Sequence, residues 1–528
     1  MFIKTGMREF DDLVPRVKGF LEQDILETVV DGEKIRGFRS PDAKSIWIRD
    51  HSDMMRAGKY FETDLKSTVN HFAATQAANG RIFDYFTTFP EKLPCEKENW
   101  TKYVRVPVEA DVEFRFIKAA FLSWQACGDD EWVFGLLPVM EKALDYIFTH
   151  PQRIDPATGL VKRAYTIDTW DFAYTAGKHE WLQFQLNEDT YWGIFHGDNS
   201  GYYEALTILE CLFTYFGYEG KGRWQKAKIS QKKEELRRAV QDNCWNGEFF
   251  THFVKLTPVT VPGVDEASQL SMANPMSINR GIATHEMAVS ILKEYQKRKI
   301  TTQAFAEWFS IDPPFPDGIF GDEKLVGGAY INGGIFPLAG GELAMAAFNH
   351  GFEQYGISIL KQYYDLISEK NETYLWYFPD GRPTTVETST SPEAMPTDGW
   401  GSSAMAWALI EGLAGIEDRL KRFEQIRLSP RWIAAGVDRA EVGVGYQGLQ
   451  VSGVGYKYKY SGLGVEIALE CTADVEFHVL IASEDKVRRL EVNGLLFEFK
   501  TEMIEHSQYI NFSARIEDRA DIRINFER

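Results

Sequence analysis

Residues 398–416 read DGWGSSAMAWALIEGLAGI, a polar and aromatic head running straight into a stretch that is apolar almost all the way round. A helix of that composition has no face to offer water, so other helices must enclose it. Five more stretches share the build: WIRDHSDMMRAGKYF from Trp47, EADVEFRFIKAAFLSW from Glu109, DNSGYYEALTILECLF from Asp198, NRGIATHEMAVSILKEY from Asn279 and NGGIFPLAGGELAMAAF from Asn332. Between them lie segments with a plainly polar side, such as KAKISQKKEELRRAVQDN (226–243) and EQYGISILKQYYDLISEK (353–370). Amphipathic helices lie outside and all-apolar helices inside. Inner and outer helices alternating along the chain predict an (α/α)6 barrel, a six-hairpin toroid. The absence of a fixed repeat period argues against a solenoid. In a toroid every polar head sits at the N-terminal end of its inner helix, so all the heads open on one face. That face, lined by Trp, Tyr, Asp, Glu and Asn, is the expected pocket.

Near Leu428 the pattern changes. VGVGYQGLQVSGVGYKYKYSGLGVEIALE (442–470) alternates apolar and polar residues with glycine punctuation, and Asn493-Gly494 separates VRRLEV from LLFEF. Asn-Gly between alternating segments is a strong hairpin signal. The expected division is therefore a mainly α domain over residues 1–427 and a small antiparallel β-sandwich over residues 428–528.

The chain has 528 residues, and its 58 basic and 77 acidic side chains give a net charge of −19. Apolar residues make up 44%, enough for a large core and too many for a disordered chain. An acidic surface repels phosphate backbones and anionic lipid, so neither nucleic acid nor a membrane is an expected partner. The 14 Trp and 23 Tyr include side chains of the kind that stack on sugar faces. Cys95, Cys127, Cys211, Cys244 and Cys471 are scattered, with no close pair, which fits a reducing compartment and no disulfide framework. Charges interrupt every apolar run in MFIKTGMREFDDLVPRVKGF, so no secretory segment is visible there, and a cytoplasmic location is expected.

In Trp47-Ile48-Arg49-Asp50-His51-Ser52-Asp53, a guanidinium and two carboxylates stand at a predicted inner-helix mouth. They could form a structural ion pair, or they could hold sugar hydroxyls, since these groups supply donors and acceptors in fixed directions. The string resembles the W-x-R-D motif of the six-hairpin glycosidase superfamily, which includes glucoamylases, processing α-glucosidases and bacterial exo-α-mannosidases. The resemblance implies that Arg49 and Asp50, with Trp47, line the subsite of the terminal sugar. Thr166-Ile167-Asp168-Thr169-Trp170-Asp171-Phe172 is similar to the W-D or W-E segment that carries the general acid in several of these families. By that resemblance Asp171 is the acid and Asp168 the second choice, with Trp170 as the apolar wall that raises a carboxyl pKa. Glucoamylase-like members have Glu at this point, so the match favours the α-glucosidase branch or a more remote one. A helix-capping role is the structural alternative for either Asp.

TTVETSTSPEAMPTDGW (384–400) resembles the segment before the last inner helix of the superfamily, where a Glu serves as general base ahead of a G-W-[ST]-[SA]-A pattern. The resemblance implies Glu393 as base, with Glu387 and Asp398 as competitors, and Trp400 as a pocket residue. Gly327–Gly334, GGAYINGG, is similar to the aromatic-Asn-Gly-Gly segment before the fifth inner helix of related barrels, which adds Tyr330 and Asn332. Glu342, one turn later, is a further candidate for sugar hydroxyls. Glu109, Asp111, His196, Asp198, Asn199, Tyr202 and Tyr203 are additional pocket candidates.

The expected activity is that of an exo-acting glycoside hydrolase, inverting at the anomeric carbon, with an oligosaccharide or glycoside as substrate. It requires neither cofactor nor metal, and the ten histidines form no HExxH-type ligand set. Three other readings compete. A glycoside phosphorylase needs basic groups for phosphate, and none occurs from Thr384 to Asp418. A sugar epimerase would use histidines, of which His51, His196 and His285 fall in the motifs. A non-catalytic carbohydrate-binding protein would need neither Asp171 nor Glu393.

Overall fold

A computed structural model of the protein describes residues 1–41, 43–88, 96–97, 102–105, 107–167, 172–178, 186–389, 396–447 and 453–527. After one helical turn at Arg8–Asp11, the helices run α1 (Leu13–Gln23), α2 (Ile48–Gly58), α3 (Ser67–Ala74), α4 (Val112–Cys127), α5 (Asp130–Thr149), α6 (His196–Phe216) and α7 (Lys226–Cys244). They continue as α8 (Ala273–Asn279), α9 (His285–Thr301), α10 (Pro337–Asn349), α11 (Glu353–Lys370) and α12 (Trp400–Trp407). The even-numbered helices touch one another in sequence order. α2 packs on α4, α4 on α6, α6 on α8, α8 on α10 and α10 on α12, and α12 returns to α2. The odd-numbered helices lie against this ring: α1 on α12 and α2, α3 and α5 on α4, α7 on α6, α9 on α8 and α10, and α11 on α10. Burial follows the patterning. Every residue of α2 is buried, whereas α7 buries only Ile229, Leu236, Val240 and Cys244.

The tightest crossing is between α10 and α12, and glycine permits it. A Cβ on Gly341 would lie 2.5 Å from the Ala404 carbonyl carbon, and one on Gly401 would lie 2.7 Å from the Leu338 nitrogen. Any side chain at these positions would drive the two backbones apart.

One expected inner helix lies elsewhere. The stretch from Asn279 does not run into an inner helix; the ring member is the preceding α8, ANPMSIN, and His285 opens the outer helix α9. With seven residues, one of them Pro275 in the first turn, α8 is too short to show helical periodicity.

The strands of the C-terminal region, with one from the N-terminus, are β1 (Phe2–Lys4), β2 (Ile416–Asp418), β3 (Gln425–Leu428), β4 (Arg439–Gly445), β5 (Gly453–Ser461), β6 (Gly464–Glu470), β7 (Ala473–Ile481), β8 (Val487–Val492), β9 (Leu495–Phe497), β10 (Lys500–Ile504), β11 (Ser507–Ile516) and β12 (Arg519–Phe526). One sheet has the order β1-β4-β5-β6-β12-β8-β9 and the other β2-β3-β7-β11-β10. Asn493 and Gly494 turn β8 into β9 with positive φ at both residues, as their sequence signals. The sheets include Ile416–Asp418 and recruit Phe2–Lys4 from the other end of the chain. One expectation needs correction: the region is not wholly antiparallel, because β3 pairs with β7 in parallel, Ile426 opposite Val475. Both β2 and β3 are short and carry charge, so alternation does not reveal them.

The sheets dock firmly on the helices. The Glu353 carboxylate, at the start of α11, accepts from Ser507 and from the Tyr509 hydroxyl, while Tyr456 donates to the Ala414 carbonyl at 2.7 Å. No helix among the described residues is long and apolar enough to cross a membrane.

Candidate active site

The N-terminal ends of the ring helices hold a dense set of buried charges. Ser45–Trp47 is an extended segment paired with Tyr85–Thr87, and it runs directly into α2, whose Ile48 N–H donates to the Asp84 carbonyl at 3.0 Å. Arg49 therefore enters the first turn of α2 facing the acids that precede and open α4. Its Nε and Nη2 each reach an Asp111 oxygen at 2.7 Å, and Nη2 also meets Glu109. Arg105 joins the same group, bonding Asp84 at 2.8 Å and Glu109. Asp84, Glu109 and Asp111 thus share two guanidiniums in a space closed to water. Burial pushes the carboxyls of Asp84 and Glu109 upward. At Asp111 burial acts the same way, but Arg49 outweighs it and holds the carboxyl below the usual range.

A second group spans α2 and α12. Arg39 donates from one nitrogen to Asp50 at 2.7 Å and to Asp398 at 3.3 Å. Asp398, just ahead of α12, accepts the Trp400 N–H at 2.7 Å. Burial pushes its carboxyl up to about 7, against the pull of Arg39 and helped by the nearby Asp50. Asp50 keeps 8% of its surface exposed against 1% for Asp398. Asp198, in the first turn of α6, is buried 3.6 Å from Arg163, and neither of its oxygens makes a hydrogen bond among the described residues. Burial raises it to about 6.

The sequence candidates separate into two sets. Trp47, Arg49, Asp50 and Trp400 come together with Glu109, Asp111 and Asp398. Trp47 is a wall packed by protein, with Tyr85 stacked at 3.9 Å and the Arg105 guanidinium 4.4 Å from its ring. Trp400 directs its indole N–H inward to Asp53 at 2.9 Å. Asn332 and Glu342 do not join this group. The Asn332 amide accepts the Phe315 N–H at 2.7 Å and donates to the Phe315 and Leu325 carbonyls, tying two loops together. Glu342 lies inside the ring, bonded to Arg56 at 2.5 Å and Asn279 at 2.6 Å. Asn332 was expected as a pocket wall and Glu342 at sugar hydroxyls; in the structure the polar atoms of both are bonded to protein. Tyr330 is half-buried and packs edge-on to Phe172 at 6.4 Å. Glu387 is exposed. Asp168, Trp170, Asp171 and Glu393 lie outside the described residues.

Sequence reasoning missed Arg39, Asp84 and Arg105. Asp84 left one trace, a carboxylate inside the apolar run Ile82–Phe86. Arg39 left none. It supplies, through space, a guanidinium to the stretch from Thr384 to Asp418 that carries no basic residue of its own, and Lys324 also reaches that stretch at the Ser389 carbonyl. The three histidines of the epimerase reading do not meet. His51 accepts the Phe38 N–H, His196 lies between Ser277 and Ser271, and His285 stacks on His350.

No protein-family model matches the sequence, and no curated protein is similar to it. Solved structures are similar in fold. An α-L-rhamnosidase from Dictyoglumus thermophilum superposes over 98% of this chain and 49% of its own, with a TM-score of 0.60 at 11% identity. The Streptomyces avermitilis α-L-rhamnosidase complexed with L-rhamnose gives 99%, 42%, 0.61 and 11% in the same order. A GH63 mannosylglycerate hydrolase from Thermus thermophilus, in complex with glucose, gives 75%, 99%, 0.51 and 11%. The chain spans about half the length, or less, of the rhamnosidases it matches. It shares its fold with these enzymes.

Proposed function

We propose that this protein is an exo-acting glycoside hydrolase on an (α/α)6 barrel with a C-terminal β-sandwich, and that it works in the cytoplasm with inversion at the anomeric carbon. The observation that carries the reading is the meeting of Arg39, Asp50 and Asp398. These residues come from distant parts of the chain and gather where α2 and α12 begin, with Asp398 pushed up to about 7 and Asp50 partly exposed. Such a group can hold sugar hydroxyls in fixed directions and hold a proton near neutral pH. The closed sequence of helix contacts supports the barrel.

In this reading Asp171 donates its proton to the glycosidic oxygen as the bond to the anomeric carbon breaks. Glu393 takes a proton from the water that bonds to that carbon from the opposite face, across a gap of about 6.5–9.5 Å between the two carboxyls. Asp50 and Arg39 orient the terminal sugar, and Arg49 fixes the acids behind it. The sugars named with the fold neighbours put α-L-rhamnosides, α-mannosides and α-glucosides first among substrates. The test is hydrolysis of a panel of aryl glycosides and oligosaccharides by the wild type, Asp171→Asn and Glu393→Gln, with the first-formed anomer read by NMR. A loss of at least about 10²-fold in both variants, with inverted product, is expected. Full activity in both variants overturns the roles, and a retained anomer overturns the outcome.

A further inference from the structure

The chain from Val161 to Ala173 packs against the head of α6. Arg163 pairs with Gly193 in a short antiparallel ladder, and from there the chain runs into His196, the first residue of α6. Asn199 ties the two together: its amide oxygen accepts the Val161 N–H at 2.8 Å, and its amide nitrogen donates to the Val161 carbonyl at 3.0 Å. Asp198, one residue earlier, makes no such bond. It stands in the first turn of α6, where backbone N–H groups are open to capping, yet both its carboxylate oxygens are buried and unbonded. A buried carboxylate without hydrogen bonds costs stability, so the fold alone gives no reason for it. What Asp198 meets is the buried Arg163 guanidinium, 3.6 Å away. Arg163 in turn donates through Nη2 to the Thr166 hydroxyl at 2.9 Å, and the His252 ring reaches the Thr166 carbonyl at 3.3 Å. Thr166 forms an antiparallel bridge with Ala173. The chain that carries Asp171 therefore leaves and returns at a point held by Arg163.

We propose that Asp198 is a positioning residue for the general acid, setting through Arg163 and Thr166 where Asp171 stands relative to the glycosidic oxygen. This role rests on Asp171 being the acid. The negative charge of Asp198 keeps the Arg163 guanidinium in the orientation that reaches Thr166, and Thr166 fixes the base of the segment. Asp198 is 1% exposed and does not itself touch the sugar.

The test uses the full chain with the phenyl glycoside and the glycosyl fluoride of the sugar it cleaves fastest. A phenolate leaves slowly without a proton from the acid, whereas fluoride leaves without one. Asp171→Asn should therefore lose activity on the phenyl glycoside and keep most of it on the fluoride. Asp198→Asn preserves the shape of the side chain and removes its charge, and it should show the same signature more weakly. Its kcat should fall about tenfold on the phenyl glycoside and less than about twofold on the fluoride, with KM unchanged on both. Thr166→Val removes the hydroxyl that Arg163 holds and should reproduce the split even if Asp198→Asn fails to fold. An equal loss on both substrates in these two variants shows a purely structural role and overturns the proposal, as does full activity on the phenyl glycoside. If Asp171→Asn shows the split and neither of them does, only the role of Asp198 falls. If no glycoside is cleaved, or Asp171→Asn shows no dependence on the leaving group, the assignment of the acid falls and the role of Asp198 with it.

Discussion

Two charged clusters lie on the same ring helices, one at the helix mouths and one inside the ring around Asp53 and Arg56, and they differ in how their carboxyls are held. At the mouth, Asp84, Glu109, Asp111, Asp50 and Asp398 crowd around Arg39, Arg49 and Arg105, and the carboxyls of Asp84, Glu109 and Asp398 are pushed up. In the interior, Asp53 receives both Arg115 and Arg56, and Arg115 also lies 3.4 Å from Asp111. There burial alone would raise Asp53, but Arg115 and Arg56 outweigh it and keep the carboxylate ionised. An excess of buried acid produces groups that hold a proton near neutrality and can pass it on. A buried carboxylate met by two guanidiniums, as Asp53 is, stays ionised and braces the helices that carry them. In the proposed reading, the same side-chain types serve chemistry at one end of the ring and architecture in its middle.

The largest effects should come from removing a cation at the mouth or an acid in the interior. Arg49→Met leaves Glu109 with Arg105 alone and Asp111 with Arg115 alone, and Glu342→Gln leaves Arg56 with Asp53 alone, and each should cost about 3 kcal/mol by chemical denaturation. A loss below about 1 kcal/mol for Arg49→Met would mean that the mouth acids are already neutral, and the comparison would break. The pH dependence of Asp398 sharpens it. Its folded pKa of about 7 lies above the ordinary aspartate value of 3.8, so its ionisation favours the unfolded chain. Its contribution is fully present below about pH 4 and is lost as pH rises toward 7, on the order of 1.4 kcal/mol per pH unit. Asp398→Asn should lack that fall, so unfolding midpoints of variant and wild type should diverge from about pH 4 to about pH 7. Parallel curves would show that Asp398 is ionised throughout.

Smaller effects separate binding from bracing. Asn332→Ala leaves a buried N–H and two carbonyls unbonded and should lower stability by about 1–3 kcal/mol with KM unchanged. Asp50→Asn should do the reverse, raising KM about tenfold, which is about 1.4 kcal/mol of binding, with the unfolding midpoint nearly constant. If KM responds to Asn332→Ala and not to Asp50→Asn, the site lies elsewhere on the ring.

Much of this was legible in the chain. Apolar helices alternate with amphipathic ones because burial on all sides demands apolar residues all round, and that demand is local. The same holds for Asn493-Gly494, where positive φ at adjacent residues selects the turn. The clusters were half legible: Arg49, Asp50, Glu109 and Asp111 stand out as charges at the heads of apolar helices. Arg39 does not, because nothing in GFRSPDAKS signals that it will reach Asp398. Asn332 and Glu342 carry the residue types of a sugar site, but which polar atoms remain available depends on Phe315, Leu325, Arg56 and Asn279.

The sequence by itself determined most of the helices, which of those are buried on all sides, and that a sheet region follows them, since periodicity and turn chemistry act over a few residues. Only the tertiary structure decided which charges meet and in what ratio. Electrostatic partners are set by distance through a water-poor interior, and chain order carries no measure of that distance. For the same reason the seven-residue α8 became a ring helix on packing alone, with a sequence too short to announce it.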